Sequence, residues 1–246
     1  MWELLGILLI LFIGSFIQAS SSIGFGLFAM GFLPMLISLQ DSTLLIVSLA
    51  VVISLKIFIK YFKHVHVKSL LFVLVPALAG RVLSFFILSY FGNMDDMKKW
   101  LGFVLVGMVI YLLASKQNPV AGSDLNMRNA GIFVGFIGGF IGGVFAIGGP
   151  FFVFYFLLYH RDKFVYNANL QASFLCTDLF TVILHVLNGD FHGELYTYFL
   201  LGSIIVFSGT ILGLRWYEHI PHAMTRKIAS FIIFIAGLNL IIFSQM

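Results

Sequence analysis

Two short stretches of this chain combine residue types that can bind a ligand. The run "QASSSIGFG" sets Gln18, Ser20, Ser21 and Ser22 beside Gly24 and Gly26, and "GGVFAIGGP" sets Gly142, Gly143, Gly148 and Gly149 before Pro150. Proline suits the first position of a helix, where its missing N–H would have no partner anyway, so Pro150 marks a helix start. Gly26 holds the corresponding place in the other run. A helix start offers unpaired N–H donors and about half a positive charge, and glycine lets a ligand come close to the backbone. Two such ends facing each other would form an anion site.

Other polar side chains sit inside apolar segments. Asp178, Thr181, His185 and Asn188 follow helical spacings of three and four, a stripe that lipid would reject and that must face protein or water. Asp178 and His185 are candidates to carry protons, and a helix-to-helix hydrogen-bond network is the competing reading. Asn169, Gln171 and Ser173 lie near the start of the same segment, where they read as substrate contacts or as a polar end cap. Arg81, in "PALAGRVLSFF", is the most interior strong cation. Its planar fork suits the oxygens of an anion, and snorkelling to the cytoplasmic surface is the favoured reading against that direct contact. "HVHVK", at 64–68, has two alternate histidines but no further ligands nearby, so it reads as a solvated basic loop and no metal is expected.

These residues need a membrane-type scaffold. Of the 246 residues 61% are hydrophobic and only 10% charged, with a mean hydropathy of +1.06. The apolar runs approach the length of about 20 residues that a crossing helix needs, and they lack barrel-type alternation. The fold class is therefore an all-α integral membrane protein. The lone Cys176 rules out an internal disulfide or a multi-cysteine cluster, and it reads as a small buried apolar residue. The net charge of +4 comes from basic residues in short loops, so it reports orientation and no nucleic-acid partner is implied. "MWELLGILLI" carries an acid where a signal peptide would carry positive charge, so it reads as a retained helix.

Apolar segments cover about residues 2–19, 26–39, 43–62, 69–91, 100–115, 130–147, 150–159, 164–187, 195–216 and 225–243. The two short ones, 26–39 and 150–159, each follow a glycine-bearing break. "FIGSFI" at 12–17 matches "FIGGFI" at 136–141, and the same offset of 124 pairs Ile23 with Ile147, Gly24 with Gly148, and Phe28 with Phe152. The chain thus reads as a first repeat over 1–118, a linker over 119–128 and a second repeat over 129–246. The glycine pair Gly138 and Gly142 reads as close helix packing.

Loop charge orients the repeats. Lys56, Lys60, Lys63 and Lys68 place their loop in the cytoplasm. If the broken segment 130–159 entered and returned as a hairpin, Arg161 and Lys163 would lie inside and Asp190 and Glu194 outside. Every loop then obeys the positive-inside rule. Each repeat becomes a broken helix hairpin followed by three transmembrane helices. The second repeat is then inverted relative to the first, and both termini lie outside the inner membrane.

With these motifs in place, the chain resembles the sulfite exporter TauE/SafE family of membrane transporters. "AIGGPFF" is similar to the second-copy glycine motif, and "GFGLFAMGFLP" to the first, with Phe25 and Leu27 departing from a full glycine run. The resemblance implies transport of sulfite, a sulfonate or another small organic or sulfur-containing anion. The expected substrate contacts are Gln18, Ser21, Ser22, Gly24, Gly26, Arg81, Gly148, Gly149, Pro150, Asn169 and Ser173, with Asp178 and His185 for proton coupling. No cofactor is expected. The partners are a small anion and the lipid bilayer, and a homo-oligomer is compatible with the chain. The alternative is a membrane-embedded enzyme acting on a lipid or small substrate, which would need a catalytic constellation at one depth.

Overall fold

A computed structural model describes residues 2–92, 94–114, 124–160 and 162–217, together with Phe234. The linker over 119–128 falls partly outside the described residues, and the apolar segment 225–243 lies outside them apart from Phe234. Among the described residues the helices are α1 Trp2–Ser21, α2 Phe25–Phe32, α3 Leu39–Tyr61, α4 Val67–Phe91, α5 Asp95–Ala114, α6 Asp124–Phe145, α7 Gly149–Tyr159, α8 Lys163–Asn188 and α9 Gly193–Tyr217.

Six of these helices, α1, α3, α4, α6, α8 and α9, are long and apolar enough to cross a membrane. At about 1.5 Å per residue the 8 residues of α2 and the 11 of α7 reach well short of a hydrocarbon core of about 30 Å. These two short helices are also among the most enclosed pieces of the fold. Phe25, Leu27, Phe28 and Met30 of α2 pack with Leu44, Leu45, Leu49 and Ile53 of α3. Phe152, Tyr155 and Phe156 of α7 pack with Val73 and Ala77 of α4 and with Leu170 and Phe174 of α8. Each short helix thus anchors its own apolar core.

The long helices pair as α4 with α6, α1 with α9, and α3 with α8. Exchanging α1, α2, α3 and α4 with α6, α7, α8 and α9 maps each of these pairings onto another of them or onto itself. The α4–α6 contact is backbone-close. Cβ atoms on Gly131, Gly135, Gly139 and Gly143 would collide with Phe72, Val73, Ala77 and Ser84, and one on Gly80 would collide with the α6 backbone. This is the small-xxx-small packing that lets two membrane helices approach without a hydrophobic driving force. The pair Gly138 and Gly142 also packs closely, but on an adjacent face. Gly138 abuts Phe151 and Phe152, and Gly142 abuts Gly148 and the Arg81 guanidinium.

The expectation for Cys176 is overturned, since its side chain is exposed on the outer face of α8. Helical periodicity puts it two residues from Asp178, on a different face of the same helix. In a bilayer the outer face is apolar too, so a small apolar residue suits it as well as the interior.

Candidate functional site

Both breaks form where the glycine and proline pattern places them, and they match residue for residue. The backbone leaves helix after Ser21 and resumes at Phe25, and it leaves again after Phe145 and resumes at Gly149. In each break one non-glycine residue adopts a left-handed backbone, Ser22 at φ 69° and Ala146 at φ 54°. These two positions are again 124 apart. Such a conformation costs a side-chain-bearing residue about 1–2 kcal/mol, so holding it twice at the same step requires close support from the surroundings.

That support comes from helices of the opposite half. Gln171 of α8 donates to the Ser22 carbonyl at 3.2 Å, and Thr43 of α3 donates to the Val144 carbonyl at 3.0 Å. Within the first break, the Phe25 N–H at the start of α2 donates to Gln18 Oε1 at 3.2 Å. The breaks also touch each other. A methyl group on Gly26 would collide with the carbonyl oxygen of Ala146, and one on Gly149 would press on the Ile23 side chain.

Between them lies a cavity of about 30 Å³, enough for at least one water-sized group. Gln18, Gly24 and Gly26 line it from one break and Gly148, Gly149 and Pro150 from the other, with Arg81 and Asp178 between. Ile46, Val47, Ala50, Phe152 and Phe174 form much of its apolar wall. Arg81 and Asp178 each sit ten residues before the end of their helices, α4 and α8. That is about 15 Å from the helix end, so the cavity lies against the middle of the spanning helices.

The reading of Arg81 as a snorkelling residue is overturned: it is 2% exposed. Its Nη2 donates to Asp178 Oδ1 at 2.6 Å and to Thr177 Oγ1 at 3.3 Å, while Nη1 donates to the Gly142 carbonyl at 2.9 Å and to Thr181 Oγ1 at 3.1 Å. The Nε–H has no acceptor. A membrane-buried cation is tolerated when its charge is balanced and its fork is filled, and Asp178 and the threonine pair do both.

The other expected contacts lie off the cavity lining. The Ser21 hydroxyl donates to the carbonyls of Ile17 and Ile23, and the Ser173 hydroxyl donates to the Asn169 carbonyl. Asn169 accepts from the His66 N–H and donates to the Val165 carbonyl. Ser22 is buried with its hydroxyl unpartnered. His185, seven residues beyond Asp178, pairs through Nδ1 with Asp190 at 2.5 Å, so the structure does not bring it to the cavity. The sequence reading misses Thr177 and the apolar wall. Thr177 lies one turn before Thr181 and widens the polar stripe of α8 beside Asp178, which is a legible signal, whereas Ile46, Val47 and Ala50 look like any other membrane-helix residues.

The histidines of "HVHVK", His64 and His66, are exposed, as a solvated loop requires, although His66 also touches its neighbours. Ser69 Oγ lies 3.1 Å from His66 Nδ1 and 2.8 Å from His160 Nε2, linking the start of α4 to the end of α7. Burial, then the nearby His66, lowers the pKa of His160 below that of a free imidazole. Its neutral ring is therefore favoured by folding, and this contribution is fully present above about pH 6.5 and declines as pH falls below that value. Acidification from pH 8 to pH 5 is expected to lower the thermal midpoint, and His160→Gln, which keeps a partner for Ser69, is expected to flatten that slope. An unchanged slope in the variant would place the acid sensitivity elsewhere.

No group of three or more metal-ligating side chains occurs among the described residues. No curated protein and no solved structure matches the chain significantly. A family model does match: that of the sulfite exporter TauE/SafE family, over residues 7–240, nearly the whole length. With six helices among the described residues long and apolar enough to cross a membrane, this multi-pass membrane protein belongs to the sulfite exporter TauE/SafE family, whose members are transporters and not enzymes.

Proposed function

We propose that the protein is a secondary transporter that carries a small anion, such as sulfite, a sulfonate or another small organic anion, across the cytoplasmic membrane by alternating access. The substrate sits between two inverted repeats, 1–118 and 129–246, at the paired helix starts. The observation that carries this reading is the cavity itself, where the first residues of α2 and α7 meet the Arg81 guanidinium. The free N–H groups of a helix's first turn and the positive end of its dipole favour negative charge, and Arg81 adds a fork matched to sulfonate or carboxylate oxygens. Broken helices facing a central site from two repeats are a recurring arrangement in secondary transporters. The exchangeable pairing of the long helices supports a two-fold relation between the halves, and the loop charges support its inverted sense, with both termini outside. Gln18, Gly24, Gly26, Gly148, Gly149 and Pro150 are the proposed contacts. Ser21, Ser22, Asn169 and Ser173 are proposed to hold the breaks and α8 in shape.

Thermal unfolding of the purified protein with sulfite, sulfate, thiosulfate, sulfonates and carboxylates tests this reading. A bound anion at 100 times its Kd is expected to stabilise the fold by about 2.7 kcal/mol, and Arg81→Gln to abolish the shift. Stabilisation by a cation or lipid alone, with none from any anion, would refute it.

A further inference from the structure

The Arg81–Asp178 pair raises a question that an anion site alone does not answer. The cation best placed to hold the substrate already holds a carboxylate at 2.6 Å, in a pair whose side chains are 3% and 8% exposed. An arriving anion would have to share Arg81 with that negative charge, and both negative groups line one small cavity. Like charges crowded in a poorly solvated site favour the protonated form of a carboxyl group.

We propose that Asp178 is the resident counter-ion of Arg81 and that a substrate monoanion replaces it by driving its protonation, so that one proton enters the site with each anion. This rests on the anion site proposed above. Before binding, the centre holds Arg81 positive and Asp178 negative. Afterwards it holds Arg81 positive, the substrate negative and Asp178 as a neutral carboxylic acid. Its net charge is the same in both states, so the loaded and empty centres face the same electrostatic penalty in the membrane. On release, the proton leaves Asp178 as its carboxylate returns to Arg81.

The surroundings leave Asp178 as the group that titrates at the cavity. Arg81 is the charged group that α4 presents to it. On α8, His185 is seven residues away and engaged with Asp190. On the packed helices, α3 has no ionisable residue between Asp41 and Lys56, α6 has none after Arg128, and α7 carries Tyr155 and Tyr159. Thr177 and Thr181, already bonded to Arg81, keep the guanidinium in place while its carboxylate partner changes.

The test uses ethanesulfonate, which is a strong-acid monoanion from pH 6 to 9 and cannot carry the proton itself, with acetate as a second binding probe. Each is added to the purified protein in weakly buffered detergent solution containing a pH indicator. The expected result is uptake of one proton per bound anion, with apparent affinity weakening about tenfold per pH unit on the alkaline side. Asp178→Asn is expected to bind without proton uptake and with an affinity independent of pH. Should that variant not fold, the wild-type stoichiometry decides by itself. Binding without proton uptake overturns the inference and leaves the anion site standing. Failure of both probes to bind overturns the anion site and the coupling together.

Discussion

Asp178→Leu and Arg81→Met, made singly, are each expected to lower stability by about 3–5 kcal/mol, while the double variant recovers most of that loss. The two side chains are almost wholly enclosed and joined at 2.6 Å, so solvent screening does little to soften either single change. Removing the carboxylate leaves the guanidinium charged among Thr177, Thr181 and the Gly142 carbonyl, which are dipoles with no countercharge. Removing the guanidinium strands the carboxylate in the same enclosure and takes a donor from the Thr177 and Thr181 oxygens, whose hydroxyls keep only their bonds to the α8 backbone. With both gone, no charge is buried, and the apolar replacements extend the wall already made by Ile46, Val47 and Phe174. Thermal unfolding of the four proteins in one detergent provides the cycle. Two single losses that simply add in the double variant would mean that the pair is not energetically coupled. The double variant is also expected to lose anion stabilisation, which separates the cost of the fold from the cost of the site.

The legible parts of this arrangement are those whose causes are local in sequence. The breaks can be placed to within a few residues because glycine and Pro150 act on their own backbone and because the pattern recurs 124 residues later. The polar stripe through Asp178, Thr181 and His185 points inward for an equally local reason, since lipid offers those groups nothing. What escapes the sequence depends on partners far along the chain. Arg81 reads as a snorkelling residue until Asp178, 97 positions away, is seen to meet it. The closest helix contact falls on Gly139 and Gly143 as well as on Gly138 and Gly142, because adjacent glycine pairs have the same spacing on faces about 100° apart, and only α4 distinguishes them. The apolar cavity wall is invisible in composition, since Ile46 and Val47 carry the same side chains as the lipid-facing surface. Cys176 shows the converse: in a membrane an apolar residue type does not decide between inside and outside.

The second large effect is expected from a single methyl group. Gly26→Ala should destabilise the protein by at least the roughly 1–3 kcal/mol typical of overpacking and abolish anion-induced stabilisation, whereas Gly107→Ala should be neutral or slightly stabilising. The two changes add the same atoms to a helix, where alanine is by itself favoured over glycine by roughly 0.5–1 kcal/mol. Their surroundings oppose each other. At Gly107 a Cβ would meet nothing within 4 Å, so the intrinsic preference decides. At Gly26 it would collide with the backbone carbonyl of Ala146, a residue already held at φ 54°, and no side-chain rotation can relieve that contact. The start of α2 must then move away from the second break, carrying Phe25 and Phe28 out of fully packed positions in the core around α3. The two helix starts that line one cavity would also draw apart. Thermal midpoints with and without the stabilising anion measure both consequences. A Gly26→Ala protein with wild-type stability and an intact anion shift would show that the contact between the breaks is not what holds the site together.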